Sequence, residues 1–292
     1  MNKLTITEFR KAYPNDDACL DKIFQLRFNN LICPECESDN QFKRVEGRRA
    51  YFCPNCSYQL YPTKDTVFEK TTTPLIDWFL IIYMQCTTRN GVSAKEIERT
   101  LNVCYKTALR MAHQIKILMA DKKLGKLMGK VQVDESYFGM KLANKHAKER
   151  REIYESGGNK HDNKTGVMGF ITDDKKLKFE VMTDAQTFKQ RVTANVDKKS
   201  IVVTDSHLGY KGLDIHYIKH EVLNHFENEF KRGEFTTNNI ENAWSVLKRT
   251  IKGTHIHVSA THLQKYVDEV AFRMMNKDKQ DTMFETILSH VV

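Results

Sequence analysis

The chain has 292 residues, with 46 lysines and arginines against 37 aspartates and glutamates, which gives a formal net charge of +9. This length allows two or three compact units, and the basic balance favours a polyanionic partner over a neutral one. The sequence has no apolar run of about eighteen residues and no secretory signal near its amino terminus, so we exclude a membrane-spanning protein and expect a cytoplasmic one.

The cysteine content points to the same compartment. Four of the seven cysteines form two close pairs, and the other three, Cys19, Cys86 and Cys104, are scattered in apolar or helical settings. This distribution suits a reducing environment better than a disulfide framework.

The first thirty residues are predicted to form an N-terminal helical segment. Apolar residues recur at helical spacing from Ile6 to Phe28, and the pattern is interrupted at Tyr13-Pro14. Because proline disfavours a helical conformation in the residue before it, we expect one or two short helices here, and we assign them no chemistry.

Residues 31–70 carry the pattern of a zinc ribbon. Cys33 and Cys36 form one tight pair, Cys53 and Cys56 form another, and sixteen residues separate the two pairs. Two such knuckles can converge on one tetrahedral site, and zinc is the ion that thiolates hold in this geometry. A redox dithiol is the competing interpretation, but a redox motif usually occurs once in a chain.

The hairpin between the knuckles is basic and aromatic. Arg48 and Arg49 follow a turn at Glu46-Gly47 and precede Tyr51. We predict that both arginines contact DNA phosphates, although a solvated charged face of a small ribbon would have the same composition.

Residues 71–122 have the pattern of a helix-turn-helix. One helix follows Pro74, a capping box at Ser93 and Glu96 starts the next, and Asn102-Val103 supplies a turn before a third helix, Tyr105–Met119. An ordinary helical hairpin is the alternative. In a recognition helix the first residues reach base edges, so we predict DNA contacts from four exposed positions: Tyr105, Lys106, Thr107 and Arg110.

Past a basic, glycine-bearing connector the chain alternates between strands and helices. We predict strands over 131–138, 166–172, 177–183, 201–204 and 215–218, and a helix over 188–196. Residues 141–164 are polar and basic, the best candidate for a mobile loop. Consecutive strands followed by alternating helices and strands imply an α/β domain with a mixed sheet.

Two acids are associated with predicted strands. Asp134 follows Val131 and Val133 within the strand over 131–138, and Asp205 follows the compact β-branched run 201–204. The carboxyl end of a buried strand would present Asp205 at a sheet crevice. An acid that ends an edge strand or caps a turn is the alternative for each. Glu135 is set aside as a ligand, because neighbouring residues of a strand point to opposite faces.

A third acid lies on a predicted helix over 239–252. Glu241, Ser245, Lys248 and Lys252 recur along one side of this helix, opposite its apolar residues. Taken alone, the pattern also fits a solvated face with ion pairs.

The three acids lie in stretches that resemble a known family. These stretches are VDESYFG, VVTDSHLGYKGL and TTNNIENAWSVLKRTIKGTHIHVSATHLQKYVDEVAFRMMNK, and the resemblance extends through CPEC, CPNC and TVFEKTTTPLIDWF, from about Thr5 to Asn276. They resemble the insertion-sequence DDE transposases of the IS1595 (ISXO2-like) family. That resemblance implies a ribonuclease H-like catalytic domain over 128–280, behind a zinc ribbon, with 281–292 as a C-terminal tail.

The resemblance also implies the site. The acid triad falls on Asp134, Asp205 and Glu241, accompanied by Lys248 as a phosphate-binding cation. Some family members carry asparagine or histidine as the third acid, and Asn238 lies one turn before Glu241. We favour Glu241, because it has the six-residue interval to Lys248. His255 and His257 could alternate on a strand-like surface and are not assigned as ligands.

The implied reaction is DNA transposition. Three carboxylates can share two Mg²⁺ or Mn²⁺ ions, and one Zn²⁺ is expected in the ribbon. Water frees a 3′-hydroxyl at the element end, and this hydroxyl then attacks target DNA. The expected partners are the terminal repeats, the target and a second copy of the chain, on the nucleoid of a bacterial or similar host. The alternatives are an inactive DNA-binding regulator and a stand-alone metal-dependent nuclease.

Overall fold

The computed structural model describes residues 4–39, 41–121, 124–139, 146–155, 164–224, 231–233 and 235–291. The chain divides into two compact units, Met1–Met119 with Lys279–Val292 (unit 1) and Ala120–Asp278 (unit 2). In the described segments, every helix is too short or too polar to cross a lipid bilayer.

Unit 1 is built from both ends of its sequence. Its helical core contains α1 (Ile6–Ala12), α2 (Asp16–Phe28), α3 (Leu75–Thr87) and α10 (Gln280–Ser289). The predicted break at Tyr13-Pro14 is confirmed, and Asn15 caps α2 by accepting a hydrogen bond from the amide of Ala18 at 3.0 Å. Four aromatic rings from α1 and its C-cap, α3 and α10 form a cluster in which each ring has neighbours with centroids about 5 to 6 Å away, namely Phe9, Tyr13, Phe79 and Phe284.

A three-stranded antiparallel sheet forms the ribbon of unit 1. The strands lie in the order β1 (Lys43–Arg44), β2 (Tyr51–Phe52) and β3 (Gln59–Leu60). Helix α2 supports this sheet, because the Phe24 ring stacks on Tyr51 with centroids 4.0 Å apart and the Tyr51 hydroxyl donates to Asp21. The zinc-ribbon segment therefore packs on the N-terminal helices through an aromatic contact.

Two further helices of unit 1 follow the predicted pattern. Helix α4 covers Ala94–Leu101, and its N-cap Ser93 accepts a hydrogen bond from the amide of Glu96 at 3.1 Å. Asn102 ends it with φ of 52°, a left-handed conformation that asparagine tolerates, and α5 covers Tyr105–Met119 as predicted. A single left-handed residue thus gives the tight connection between the two helices.

Unit 2 contains a mixed five-stranded sheet. The strands are β4 (Lys130–Phe138), β5 (Thr165–Thr172), β6 (Leu177–Met182), β7 (Ile201–Asp205) and β8 (Lys219–Leu223). Their order is β6-β5-β4-β7-β8, and β5 runs antiparallel to the other four strands. The prediction of an α/β domain with a mixed sheet is confirmed.

Helices cover both faces of this sheet. On one face α8 (Asn238–Thr250) and α9 (Ala260–Met275) bury an apolar stripe against β5 and β6. On the other face α7 (Phe188–Asn195) packs against Val131 and Val133. The remaining elements are α6 (Ala147–Glu155), with no buried residue, and the short hairpin of β9 (Lys231–Arg232) and β10 (Phe235–Thr236).

Two local predictions differ from the structure. The strand predicted over 215–218 is wrong: β8 covers Lys219–Leu223, while Ile215 and Ile218 are 79% and 72% exposed. The mixed polar and apolar run KHEVL forms the ladder because its backbone completes the parallel pairing with β7. Residues 281–292, predicted to be a tail, include most of α10, whose Phe284 is buried.

The loop predicted over 141–164 lies only partly within the described residues. Residues 141–145 and 156–163 lie outside the described part of the chain. The intervening residues form α6, so the central part of the predicted loop is helical.

Candidate functional site

The two cysteine knuckles of unit 1 share one backbone geometry. In each knuckle the amide of the first cysteine, Cys33 or Cys53, donates to the carbonyl five residues later, at 2.9 Å and 2.8 Å. The residue after each second cysteine is left-handed, with φ of 55° at Glu37 and 65° at Ser57. This shared turn brings both thiols of each pair to the same side.

The four thiols fit a tetrahedral metal ion. The sulfur of Cys33 lies 3.6 Å from that of Cys56, and the sulfur of Cys36 lies 3.7 Å from that of Cys53. All four sulfur atoms lie within 4.8 Å of one another. Zinc–sulfur bonds of about 2.3 Å place tetrahedral sulfur atoms about 3.8 Å apart, so the spacing suits Zn²⁺.

The parallel pairing of β4 with β7 places two acids side by side in unit 2, Asp134 in the middle of β4 and Asp205 at the end of β7. These strands pair in parallel with Gln132 opposite Val203, and the same register continued by two residues puts Asp134 opposite Asp205. Residues opposite each other in a sheet share a face. Both carboxylates therefore start from the same side of the sheet.

Helix α8 covers that side of the sheet and is tied to β4 by hydrogen bonds. The indole Nε1 of Trp244 donates to Asp134 Oδ2 at 2.8 Å. Two residues earlier on the strand, Gln132 Oε1 accepts hydrogen bonds from the amides of Asn239 and Ile240, at 3.1 Å and 3.2 Å. Because amides at a helix start have no partner within the helix, Gln132 fixes where α8 begins on the sheet.

Glu135 lies on the opposite face, as strand alternation predicts. Its Oε2 accepts a hydrogen bond from the hydroxyl of Tyr210 at 2.7 Å, and Tyr210 belongs to the core under α7. The hydrogen bonds of Asp134 and Glu135 thus lead to different layers of unit 2.

A groove of about 810 Å³ runs beside Asp134 along α8. It is lined by acids and cations from β4, α8 and the turn after α8: Asp134, Glu135, Glu241, Lys248, Arg249 and Lys252. Glu241 accepts a hydrogen bond from the hydroxyl of Thr237 at 2.9 Å. Asn238, the alternative third acid position, is exposed and is not among the lining residues.

Asp205 stands slightly apart from this groove. It is not among the lining residues, and its Oδ1 accepts a hydrogen bond from the amide of His207 at 3.0 Å. The turn-capping role that sequence left as the alternative is therefore present. Asp205 is still close enough for its charge to raise the pKa values of both Asp134 and Glu135.

The carboxylates at this edge repel one another. Burial, followed by repulsion from Glu135, raises the pKa of the Asp134 carboxyl to about 6, against the lowering effect of the Trp244 hydrogen bond. Burial also raises the pKa of Glu135, and the charge of Asp205 adds to the shift. A site that concentrates negative charge in this way favours a bound cation.

The acids of unit 2 form a looser group than the cysteines. Among the described residues, the cysteine quartet is the one group of three or more metal-binding side chains whose ligand atoms all lie within 4.8 Å. Carboxylate oxygens are nevertheless the hard ligands that Mg²⁺ and Mn²⁺ prefer. The ligand role of Asp134, Asp205 and Glu241 stays a prediction.

Comparison with known proteins identifies the family of the chain. Residues 126–275, half of the chain, match the family model of the ISXO2-like transposase domain. The chain belongs to the ISXO2-like transposase family. Residues 14–59 match the transposase zinc-ribbon domain. The chain is also 25% identical to an uncharacterized protein in transposable element ISH50 of Halobacterium salinarum, over 95% of this chain and 99% of that protein.

The sequence pattern of this transposase did not reveal the partner of Asp134. The sequence pattern predicts that Trp244 lies on the apolar side of its helix. Its packing against Phe179, with ring centroids 4.9 Å apart, confirms this prediction. Only the fold shows that its indole also reaches the acid. Gly169 makes room for it, since a Cβ there would lie 2.8 Å from the Trp244 ring, and Gly169 pairs directly with Asp134.

Replacing Trp244 with phenylalanine is expected to weaken divalent-ion binding at the acids. The variant keeps a ring against Phe179 but loses the hydrogen bond that lowers the pKa of Asp134, so this carboxyl becomes harder to ionise near pH 7. Loss of such an outer contact typically lowers metal affinity by roughly 10- to 100-fold. Calorimetric titration with Mn²⁺ measures the effect.

Trp78→Phe is the matched control for this experiment. Trp78 is the other tryptophan of the chain. It is buried in unit 1 and donates its indole hydrogen to Thr71 Oγ1 at 3.1 Å. It should leave Mn²⁺ affinity unchanged. Equal affinities in both variants and the parent would contradict the assigned role of Trp244.

The residues predicted to read DNA bases lie together at the start of α5. Tyr105, Lys106 and Arg110 are exposed, and Tyr105 carries the ammonium of Lys95 5.3 Å above its ring. Thr107 is half-buried, with its Oγ1 3.2 Å from the Cys104 sulfur. Their DNA contacts stay a prediction.

The two hairpin arginines differ in their surroundings. Arg48 is exposed, whereas the Arg49 guanidinium donates to the carbonyls of Thr71 and Thr73 and to Asp16, at 2.9, 3.2 and 3.1 Å. Arg49 thus holds the ribbon to the start of α3, which leaves Arg48 as the better placed of the two for a phosphate.

Proposed function

We propose that this chain is an active DDE transposase, which cleaves the ends of an insertion sequence and joins them to target DNA. The observation that carries the proposal is the groove in which Asp134 and Glu241 lie beside Lys248, with Asp205 on the neighbouring strand end. The strand order β6-β5-β4-β7-β8, with β5 alone antiparallel, supports a ribonuclease H-like catalytic domain.

The acids of this groove would hold two divalent ions, Mg²⁺ or Mn²⁺. Asp134 on the central strand β4, Asp205 on the neighbouring strand β7 and Glu241 on α8 would hold these ions between them. When bound, such ions lower the pKa of an attacking hydroxyl and neutralise charge on the phosphorus oxygens.

The chain's own cations position the substrate. Lys248, Arg249 and Lys252 line the groove, with ammonium and guanidinium groups that bind DNA phosphates. In the first step a water oxygen bonds to phosphorus as the 3′-oxygen of the element end leaves. In the second step that 3′-hydroxyl bonds to a target phosphorus and a target 3′-oxygen leaves, so no bond forms between protein and DNA.

Unit 1 supplies DNA recognition in this proposal. Helices α4 and α5 act as a helix-turn-helix, with Tyr105, Lys106, Thr107 and Arg110 at the recognition surface, and Arg48 and Arg49 add basic charge from the ribbon. One Zn²⁺, held by the four cysteines, keeps the ribbon folded. Pairing of two element ends calls for at least a dimer on DNA.

A strand-transfer gel tests the proposal. Purified protein is incubated with Mg²⁺, a plasmid target and pre-nicked DNA from the terminal repeat of the element. A joined product is the expected result. Nicked DNA without joining would assign the chain to the stand-alone nucleases. Binding without either reaction would assign it to the inactive DNA-binding regulators.

A further inference from the structure

The turn that follows α8 holds a strained residue. A π-helical turn covers Ile251–His255, and Ile256 then adopts φ of 63° and ψ of −57°. The amide of His257 donates to the carbonyl of His255 at 2.6 Å, which closes a γ-turn of the rare positive-φ kind. A β-branched residue in this conformation is an outlier that persists only where its surroundings impose it.

Contacts on both sides of Ile256 impose the turn. The His255 side chain is only 6% exposed, and its ring lies 4.7 Å from that of Tyr266 and 3.7 Å from a carboxylate oxygen of Glu269. On the other side Val258 packs on the core under α8 and α9. The histidines here belong to a tight turn rather than to a strand-like surface, so that sequence alternative is wrong.

The result is an apolar side chain held out in solvent. Ile256 is 82% exposed, the highest value among the exposed large apolar residues of the described chain. Burying such a side chain elsewhere would be favourable, and a strained backbone is an unfavourable way to expose it. The turn therefore presents Ile256 for contact with a partner.

The surroundings of Ile256 identify that partner as DNA. Lys252 and Gly253 line the acid-bearing groove together with Lys248 and Arg249, so the approach to the turn is cationic. Three peptide units separate Gly253 from Ile256, a distance of at most roughly 11 Å. A duplex whose phosphates contact these cations would lie within reach of Ile256, and an apolar side chain suits the stacked bases of that duplex better than its charged phosphates.

We propose that Ile256 is a wedge that inserts between base pairs of the DNA held in the groove and unstacks them. Proteins that deform DNA use isoleucine, leucine and similar side chains in this way. The inference rests on the proposed function, because separating the two strands next to the acids lets a single scissile strand reach them. Ile256 is thus a positioning residue, acting on the DNA rather than on the reacting phosphorus.

The test measures base stacking directly. Full-length protein without divalent cation is mixed with a terminal-repeat duplex that carries a fluorescent adenine analogue at successive positions near the cleavage site. The wild type should brighten the analogue at one step. Because alanine is too short to separate two base pairs, Ile256→Ala should reduce that signal by at least about threefold and change DNA affinity less than about threefold.

Two further variants separate a wedge from a general surface effect. Ile215→Ala removes an isoleucine that is 79% exposed elsewhere in unit 2, and it should leave the signal unchanged. Ile256→Gly should lose the signal while raising the thermal midpoint, because glycine adopts positive φ without strain. A duplex with a mismatch at the affected step should restore cleavage by Ile256→Ala.

Several results would overturn the inference. An undiminished signal in Ile256→Ala, an equal loss in Ile215→Ala, or loss of self-association in Ile256→Ala without a change in the signal would each do so. Strand transfer without any brightening would contradict the wedge role of Ile256 and support the proposed transposase activity. Brightening without strand transfer would support the wedge role of Ile256 and contradict the proposed transposase activity.

Discussion

Asp134→Asn is expected to abolish Mg²⁺-dependent cleavage and joining, with a loss of at least about a thousandfold, and Asp205→Asn should do the same. Losing an ion that contributes several kcal/mol of charge stabilisation corresponds to a loss of that size. DNA binding should persist, because the cations of the groove and of α5 remain. Gel assays of both steps, with anisotropy for binding, measure these effects.

Glu135→Gln is the matched control for Asp134→Asn. The two acids are neighbours on β4 and both line the groove, but the Glu135 carboxylate accepts a hydrogen bond from Tyr210 on the other face of the sheet. Its replacement should keep most of the activity. Full activity in Asp134→Asn, or equal losses in the two variants, would remove Asp134 from the site.

Asp134→Asn should also make the metal-free protein more stable above pH 6. Because burial raises the pKa of Asp134 from 3.8 to about 6, the folded state binds its proton more tightly than the unfolded chain does. The contribution of Asp134 to the stability of the wild type is therefore greatest below about pH 4, and it falls by up to about 3 kcal/mol as the pH rises through about 6. The asparagine variant should lack this fall, and Mg²⁺ should stabilise only the wild type.

Cys53→Ala is expected to unfold the ribbon and to release its metal. Zinc binding contributes about 10–16 kcal/mol to the folding of small zinc domains, far more than two short strand pairings can replace. Metal analysis should give about one zinc per wild-type chain and much less in the variant. Limited proteolysis should then cut within residues 31–70, where the wild type resists.

Cys19→Ala controls for the loss of a buried thiol. Cys19 is fully buried in α2 but lies outside the quartet, so its replacement should cost about 1 kcal/mol and leave the zinc content intact. Wild-type zinc content in Cys53→Ala would contradict the four-cysteine site.

Local patterns predicted most of the elements because the signals were local. Proline at 14, the serine cap at 93 and the β-branched run 201–204 each act within a few residues, and the structure places helix or strand boundaries there. The strand at 219–223 escaped prediction because its signal is not local. Its residues are a mixture of polar and apolar, and the edge of β7 decides their conformation.

The candidate site was predicted only in outline for the same reason. Residue spacing and family resemblance single out Asp134, Asp205 and Glu241, but contacts between distant segments define how the acids are held. Gln132 reaches the start of α8 across 107 residues, and Trp244 reaches Asp134 across 110. Contacts between residues this far apart in the chain produce no periodic pattern in a single sequence.

The placement of α10 has a consequence for synthesis. Unit 1 contains the ribbon and α5, yet its aromatic core includes Phe284, which the ribosome adds only after the whole of unit 2. A growing chain therefore carries an unfinished unit 1 while all residues of unit 2 have already been added. Fragments from interrupted translation would lack α10, and with it the contacts of Phe284 that complete the aromatic core of unit 1.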